Sequence, residues 1–251
     1  MKKTTSSKKP KVVVVMPAFY AARTLEKTFG DIPKGLVSEI ILVDDASKDQ
    51  TVNIAKKLGI TTYTHPNNLG YGGNQKTCYW EAIKRKPDVI VMLHPDYQYD
   101  GTKMKEMVMP IYEGIHDMMM GSRIRTRQEA LAGGMPLTKY FGNRFLTMLD
   151  NIILGLNLSE HLSGFRAYSI KVLKTIPFQR FNNDFVFDQQ FVASAVSYGF
   201  DIGETPVPVR YFKEASSISG WRGVKYYLAS LFTLGRFLLH DLGIWRSPLF
   251  K

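Results

Sequence analysis

The sequence predicts an α/β fold, a mostly parallel sheet flanked by helices with amphipathic helices at its C-terminal end. Three observations carry this. Short runs rich in β-branched residues alternate with helix-forming segments. Polar or acidic clusters close several of those runs. Two apolar segments in the second half are long but interrupted by charge. Strands alternating with helices imply crossover connections and parallel pairing. The 251 residues suffice for one sizeable core.

Val12–Met16 is an unbroken apolar run, the pattern of a strand buried on both faces. Ala21–Phe29 reads as a helix, and Glu39–Val43 as a second strand ending in Asp44-Asp45. Thr51–Leu58 is a helix that Ser47 or Asp49 can cap. Thr61–Thr64 is a third strand, and Gly70-Tyr71-Gly72-Gly73 opens a helix to about Lys84. Val89–Leu93 is a fourth strand, ending in His94-Pro95-Asp96. Met104–Glu113 is a helix, and Asp117–Met120 a fifth strand ending in Gly121-Ser122-Arg123. The second half is less regular and ends its α/β part with a strand-like Val207–Phe212. Residues 1–10 read as a flexible basic tail, 11–215 as the α/β domain and 216–251 as an amphipathic helical segment. Residues 125–135, with Arg125, Arg127, Gly133 and Gly134, read as a mobile basic loop.

The net charge of +11 favours anionic partners: phosphorylated substrates, acidic lipid or nucleic acid. No nucleic-acid module appears and the surplus is spread along the chain, so nucleic acid is not expected. The single Cys78 rules out an internal disulfide and suits a reducing, cytoplasmic setting. Val12–Met16 is too short for a signal peptide and meets Pro17 at once. Phe141–Leu158 carries Arg144 and Asp150, and Tyr226–Trp245 carries Arg236, His240 and Asp241. Neither reads as a membrane span. Each lies against an apolar surface, the protein's own core or the face of a bilayer.

In open α/β sheets ligands sit beyond the carboxyl ends of the strands, so the clusters there are the candidates for chemistry. Asp44 and Asp45 can hold base or ribose groups, or equally cap the next helix. The glycines around Gly70 let backbone approach a phosphate at a helix N-terminus. They match neither a dinucleotide fingerprint nor a P-loop. His94 and Asp96, with Gln98 behind, can offer nitrogen and oxygen ligands to a divalent metal, or form a turn with a buried histidine. Arg123, Arg166 and Arg210 have the guanidinium geometry that matches phosphate.

Taken in order, these segments resemble family-2 glycosyltransferases of the Rossmann-like GT-A fold. They are nearest to the subgroup of dolichyl-phosphate mannose synthase and polyprenyl-phosphate glycosyltransferases. The resemblance rests on residues 15–20, 43–51, 68–74, 94–98, 121–123, 163–168 and 185–188. It implies an inverting transfer of a hexose from a UDP- or GDP-sugar to a polyprenyl phosphate or glycan acceptor, with Mn2+ or Mg2+. Pro17, Ala18 and Tyr20 with Asp44 or Asp45 are then expected at the nucleoside, and Gly70, Asp96, Gln98 and Arg123 at the donor. Ser163, Gly164 and Arg166 shape the acceptor pocket, and Arg210, Ser216 and Ser217 close over the phosphates. His94 stands where the family's Asp-x-Asp motif has its first aspartate, which removes a charge and makes an imidazole-tolerant ion such as Mn2+ fit better. A phosphate acceptor needs no base, whereas a hydroxyl acceptor needs a carboxylate. Asp188 is the candidate, with Asp184 and Glu160 in reserve. The resemblance also implies a peripheral protein on the inner face of the membrane. The alternative is a binding protein of the same fold at that surface with weak catalysis.

Overall fold

The computed structural model describes residues 9–124, 128, 131, 135–210 and 220–251. The described strands form one seven-stranded sheet. They are β1 (Val12–Ala18), β2 (Glu39–Asp44), β3 (Thr61–Thr64), β4 (Val89–Met92), β5 (Met118–Ser122), β6 (Arg166–Ser169) and β7 (Ile202–Pro206). Their order is β3-β2-β1-β4-β6-β5-β7. Every pairing is parallel except the two made by β6, which runs against β4 and β5. The described helices of the first half are α1 (Leu25–Asp31), α2 (Thr51–Lys57), α3 (Tyr71–Lys84) and α4 (Met104–Tyr112). They are followed by α5 (Leu137–Leu154), α6 (Ile170–Thr175), α7 (Phe187–Ser197) and α8 (Gly220–Asp241).

Alternation along the strands sorts the core into two layers. Val13 and Val15 of β1, with Ile41, Val43, Ile90 and Met92, face α3, α5, α7 and α8. Val12, Val14 and Met16, with Leu42, Val89 and Val91, face α1, α2 and α4. The first five strands fall where the sequence places them. Two later ones do not. β6 is four residues long and carries no apolar run, so period alone does not reveal it. The strand-like Val207–Phe212 is corrected to β7 at Ile202–Pro206, of which Val209 continues only as a bridge to Tyr99. Pro208 has no N–H to give a ladder, which ends the pairing. Residues 211 and 212 lie outside the described residues. So do residues 1–8 of the expected tail and most of the expected basic loop, Arg125, Arg127, Gly133 and Gly134 among them.

The two long C-terminal helices each bury one face and expose another. α5 buries Asn143, Leu146, Thr147, Asp150 and Leu154. It exposes Leu137, Phe141, Phe145, Met148 and Ile152. α8 buries Ser230, Thr233, Leu234 and Phe237 against α5 and α7. It exposes Trp221, Val224, Leu228, Phe232 and Leu239. Both exposed sets recur at three- and four-residue spacing, with one seven-residue interval from Phe232 to Leu239, so each forms a stripe on one side of its helix. No described helix is long and apolar enough to cross a membrane.

Between α5 and α7 lies a buried polar group. The Gln189 amide donates to Asp150 Oδ1 at 2.5 Å, and His161 Nε2 donates to Asn151 Oδ1 at 2.8 Å. Asn151 Oδ1 also accepts from Leu158 N, which fixes its orientation and leaves His161 Nδ1 as a bare lone pair. That nitrogen stands 3.7 Å from Asp150 Oδ2. Burial pushes the Asp150 carboxyl up to about 7, and burial with Arg166 nearby takes His161 down to about 3. Between about pH 3 and pH 7 the native state therefore holds a proton on Asp150 and refuses one on His161. The Asp150 contribution is present below the ordinary carboxylate range and is lost as pH rises towards about 7. The His161 contribution is present above the ordinary imidazole range and is lost as pH falls towards about 3. Asp150→Asn mimics the protonated acid. Its melting temperature should exceed that of the parent by a margin that widens from pH 4 to about pH 7 and then levels. A margin that does not change with pH would show that Asp150 does not titrate in this window.

Candidate active site

The carboxyl ends of β1, β2 and β4 open onto a cavity of about 650 Å3. Pro17, Ala18, Phe19, Tyr20 and Thr24 line one side. Asp45, Asn68, Gly70 and Asn74 line the second, and His94, Asp96, Asp184 and Phe185 the third. Asp45 and Asp96 thus share one cleft. A second cavity, of about 340 Å3, continues from it towards α5 and α8. Tyr71, His94, Asp96, Phe185 and Arg222 line both. The second is completed by Gln98, Arg123, Lys139, Asn143, Gly164 and Asp188, among others.

Side-chain bonds fix the loops around the first cleft. Ser47 Oγ accepts from Tyr20 N at 2.8 Å, and Thr51 Oγ1 accepts from Ala21 N at 2.8 Å. Asp49 accepts from Ala22 N at 3.2 Å and from Thr51 N at 3.1 Å, so it braces the start of α2 as the sequence suggests. The Asn74 amide reaches back to the carbonyls of Val43 at 3.0 Å and Ala18 at 3.3 Å, which ties α3 to the ends of two strands. Tyr20, Ala46 and Tyr97, one in each loop after β1, β2 and β4, have φ of 53°, 63° and 58°. Left-handed backbone at a residue with a Cβ costs on the order of 1 kcal/mol or more and persists where surrounding bonds over-determine it.

The two adjacent aspartates have different places. Asp45 Oδ1 accepts from Leu69 N at 2.8 Å and its Oδ2 from Gly70 N at 3.0 Å, while His65 Nδ1 stands 2.8 Å from Oδ1. It thereby holds the 68–70 turn, where Gly70 has φ of 84°, at the mouth of α3. Asp44 is wholly buried, accepts from Ser47 N at 2.9 Å, and lines neither cleft.

Below the junction of the clefts sits Arg166, with no exposed surface. It donates to the carbonyls of Ser163 at 2.7 Å, Asp188 at 3.0 Å and His161 at 3.1 Å. Its guanidinium is also 3.5 Å from the Asp188 carboxylate. Arg166 and the equally buried Ser163 form the floor, whereas Gly164 reaches the second cleft itself. The Tyr71 hydroxyl donates to Asp188 Oδ2 at 2.6 Å and lies 3.2 Å from His94 Nε2. The Gln75 amide reaches Asp188 Oδ1 at 3.3 Å. Desolvation in the cleft wall takes the His94 pKa below the ordinary imidazole value, against the opposing pull of Asp96 and Asp188. His94 is therefore neutral at pH 7.

The second cleft is rich in cations. Arg123 grips the buried Glu160 through Nε, at 2.8 Å, and Nη2, and its backbone N donates to the same carboxylate at 2.8 Å. Glu160 also meets the Asn143 amide at 3.4 Å, and it lines neither cleft. Burial and Arg123 take Lys139 down to about 8. Arg210 lies outside both clefts, 2.9 Å from Asp31 and 3.9 Å from Asp100, with its guanidinium 4.2 Å over the Tyr97 ring. Asp184 stands at the rim of the first cleft and accepts from Phe185 N at 2.8 Å. Gln98 lines the second and donates its N–H to Asp96 Oδ1 at 3.0 Å. Ser216 and Ser217 lie outside the described residues.

Sequence reasoning missed Tyr71, Lys139, Asn143 and Arg222 as site residues. The 139/143 pair carried a signal, since a four-residue spacing puts both on one helix face. Tyr71 carried none beyond its place in the glycine-rich turn.

Residues 13–176 match the family model described as Glycosyl transferase family 2. An uncharacterized protein of Methanocaldococcus jannaschii is 31% identical over 210 residues, covering 83% of this chain and 85% of that protein. The UDP-N-acetylglucosamine--dolichyl-phosphate N-acetylglucosaminyltransferase of Methanococcus voltae is 25% identical over 217 residues, covering 80% of this chain and 86% of the relative. Among solved structures, glucosyl-3-phosphoglycerate synthase from Mycobacterium tuberculosis, in complex with phosphoglyceric acid, superposes with a TM-score of 0.66 at 20% identity. That match covers 95% of this chain and 82% of the other. The same enzyme with Mn2+, UDP and phosphoglyceric acid gives 0.63 at 19% identity, covering 95% of this chain and 80% of the other. A parallel sheet whose carboxyl edge bears two joined clefts, with the family match over most of the chain, establishes that this protein belongs to glycosyl transferase family 2 and is a glycosyltransferase.

Proposed function

We propose that the chain transfers a hexose, with inversion, from a UDP- or GDP-sugar to a polyprenyl phosphate at an anionic membrane surface, as a member of the polyprenyl-phosphate subgroup. One observation carries this. A cleft lined by carboxylate and amide groups opens, across His94, Asp96 and Tyr71, into a second cleft lined by Arg123, Lys139 and Arg222. The first suits a nucleoside diphosphate with its hexose, and the second an acceptor that arrives already ionised. The Methanococcus voltae relative is named for a dolichyl-phosphate acceptor and a UDP-sugar, which fits both halves.

In this reading Pro17, Ala18, Tyr20 and Asp45 frame the nucleoside, and the turn held by Asp45 presents backbone at the mouth of α3. Lys139 holds the acceptor phosphate with Arg123, already paired to Glu160, in the wall beside it, and Arg222 stands between donor and acceptor. One acceptor oxygen attacks the anomeric carbon, the bond from that carbon to the diphosphate breaks, and the nucleoside diphosphate leaves. No base is required. Asp188 agrees with this, because its oxygens are occupied by Tyr71, Gln75 and Arg166. A glycan hydroxyl is the second acceptor class, and it would need Asp188 released from those bonds.

The donor set fits a divalent ion. His94 is neutral, and Asp96 stands beside it on the wall that both clefts share. Bound there, a divalent ion would neutralise charge on the departing diphosphate. No group of three or more His, Cys, Asp or Glu that could hold a metal is found among the described residues, so His94 and Asp96 would share the ion with the diphosphate and water. Mn2+, which tolerates a nitrogen ligand, is favoured over Mg2+ on the chemistry of His94, while the structural neighbour is known with UDP and either ion.

α5 and α8 border the second cleft through Lys139, Asn143, Arg222 and Tyr226, their exposed apolar stripes lie on other faces of the same helices, and Arg144, Arg222, Lys225 and Arg246 lie near those stripes in the chain. Apolar burial with basic attraction gives reversible binding to acidic lipid, on the order of 1 kcal/mol per surface cation. In this reading the protein works peripherally on the cytoplasmic face of the membrane, where a lipid phosphate meets the cleft.

Two experiments test the proposal. In a thermal-shift series of UDP- and GDP-sugars, one donor class should raise the melting temperature with Mn2+, and Mn2+ alone should raise it little. At a hundredfold excess over Kd the stabilisation is about 2.7 kcal/mol. Asp96→Ala should lose the metal-dependent part and turnover, whereas no response to any donor would favour a binding protein without catalysis. In sedimentation with vesicles, the pair Phe145→Ser and Leu228→Ser should weaken partition into phosphatidylglycerol-containing bilayers at least tenfold. Equal binding to neutral and anionic vesicles, unaffected by the pair, would remove the membrane role.

A further inference from the structure

The Tyr71 hydroxyl has one proton and two neighbours. Asp188 takes that proton, because a carboxylate 3.5 Å from a buried guanidinium and reached by the Gln75 amide acts as an acceptor. The phenol oxygen is then left to accept, so the 3.2 Å contact with His94 requires Nε2–H. A neutral imidazole has only one N–H, which strips Nδ1. Turned over, the ring would set a carbon, Cε1, in place of Nε2 against the Tyr71 oxygen and forfeit that contact. Its Cδ2–Nε2 edge packs on Gly164 so closely that a Cβ there would lie 2.8 Å from both atoms. The Tyr71 ring also lies parallel to it, 7° between planes and 5.4 Å between centroids. Among the described residues Nδ1 makes no hydrogen bond, and it belongs to the ring edge turned away from Gly164.

We propose that Tyr71 is a positioning residue that locks His94 as the Nε2–H tautomer, so that the bare Nδ1 is the ligand atom offered beside Asp96. The Asp188–Tyr71–His94 chain replaces the fixed charge of a carboxylate with a lone pair whose direction is set by a phenol. It also ties the donor wall to Arg166 beneath the acceptor cleft. The ligand half of this inference rests on the metal reading above; the tautomer half does not.

The experiment is long-range 1H–15N correlation on protein labelled at histidine nitrogen, without metal at pH 7.5, with His94→Gln used to assign the signal. His94 should show the Nε2–H pattern, and in Tyr71→Phe, which keeps the stacked ring, it should become a mixture. Mn2+ affinity in the presence of UDP or GDP, followed by electron paramagnetic resonance, should fall about tenfold in Tyr71→Phe, the range seen when an outer partner of a metal ligand is removed. In a His94→Asp background Tyr71→Phe should cost no further affinity. An Nδ1–H pattern in the parent, an unchanged pattern in Tyr71→Phe, or an equal loss in the His94→Asp background would overturn the lock. An Nε2–H signal that Mn2+ with nucleotide leaves unbroadened would instead overturn the metal reading and leave the tautomer assignment standing.

Discussion

A guanidinium removed from water must find an acceptor for nearly every donor, and Arg166 sets much of the site by doing so. Its three carbonyl partners belong to the segment before β6 and to the first turn of α7. Its charge partner is Asp188. Burying one member of such a pair without the other costs on the order of 3–5 kcal/mol, so neither can leave the interior alone. Through Asp188 the constraint passes to Tyr71 and Gln75 on α3, and through Tyr71 to His94 at the end of β4. Four pieces of chain distant in sequence are thus registered against one another by a residue that never meets the solvent.

Much of the fold was legible from residues alone. β1, β2 and β4 are buried on both faces and announce themselves as apolar runs, and the turns after them carry the polar clusters that line the clefts. β6 was not legible, because Arg-Ala-Tyr-Ser has neither an apolar run nor alternation. Its arginine is buried only because tertiary partners await it. The same limit applied to the side chains. Sequence identified Asp44 and Asp45 as a pair, but which of them faces the cleft depends on the loop that Asp45 pins from 24 and 25 residues away. It singled out Arg123 and Glu160 separately, and nothing local says that the second neutralises the first. For α5 and α8 the periodicity admitted core or bilayer as the apolar partner, and the structure divides the faces, one turned inward and one left to its surroundings.

The loops that make the first cleft are short, and they are stiffened by side-chain to backbone bonds rather than by packing. Three non-glycine residues in left-handed conformation sit one per loop. Such residues are tolerated where the local bonds leave no alternative. A cleft built this way loses little order when a ligand enters, because the loop entropy has already been given up during folding.

The reversed strand β6 has an effect on the molecule's other rim. A backward strand delivers the residues that precede it, not those that follow, to the carboxyl edge of its neighbours. The 159–165 segment therefore arrives beside the ends of β4 and β5, and the chain leaves β6 at the opposite edge to enter α6 directly. Turns 85–88, 113–117 and 198–201 lie on that far edge with it, ahead of β4, β5 and β7. Among the described residues both cavities open on one rim, which leaves the other as a handle. A dye, an affinity tag or an inserted domain attached there is separated from both cavities by the full length of the strands.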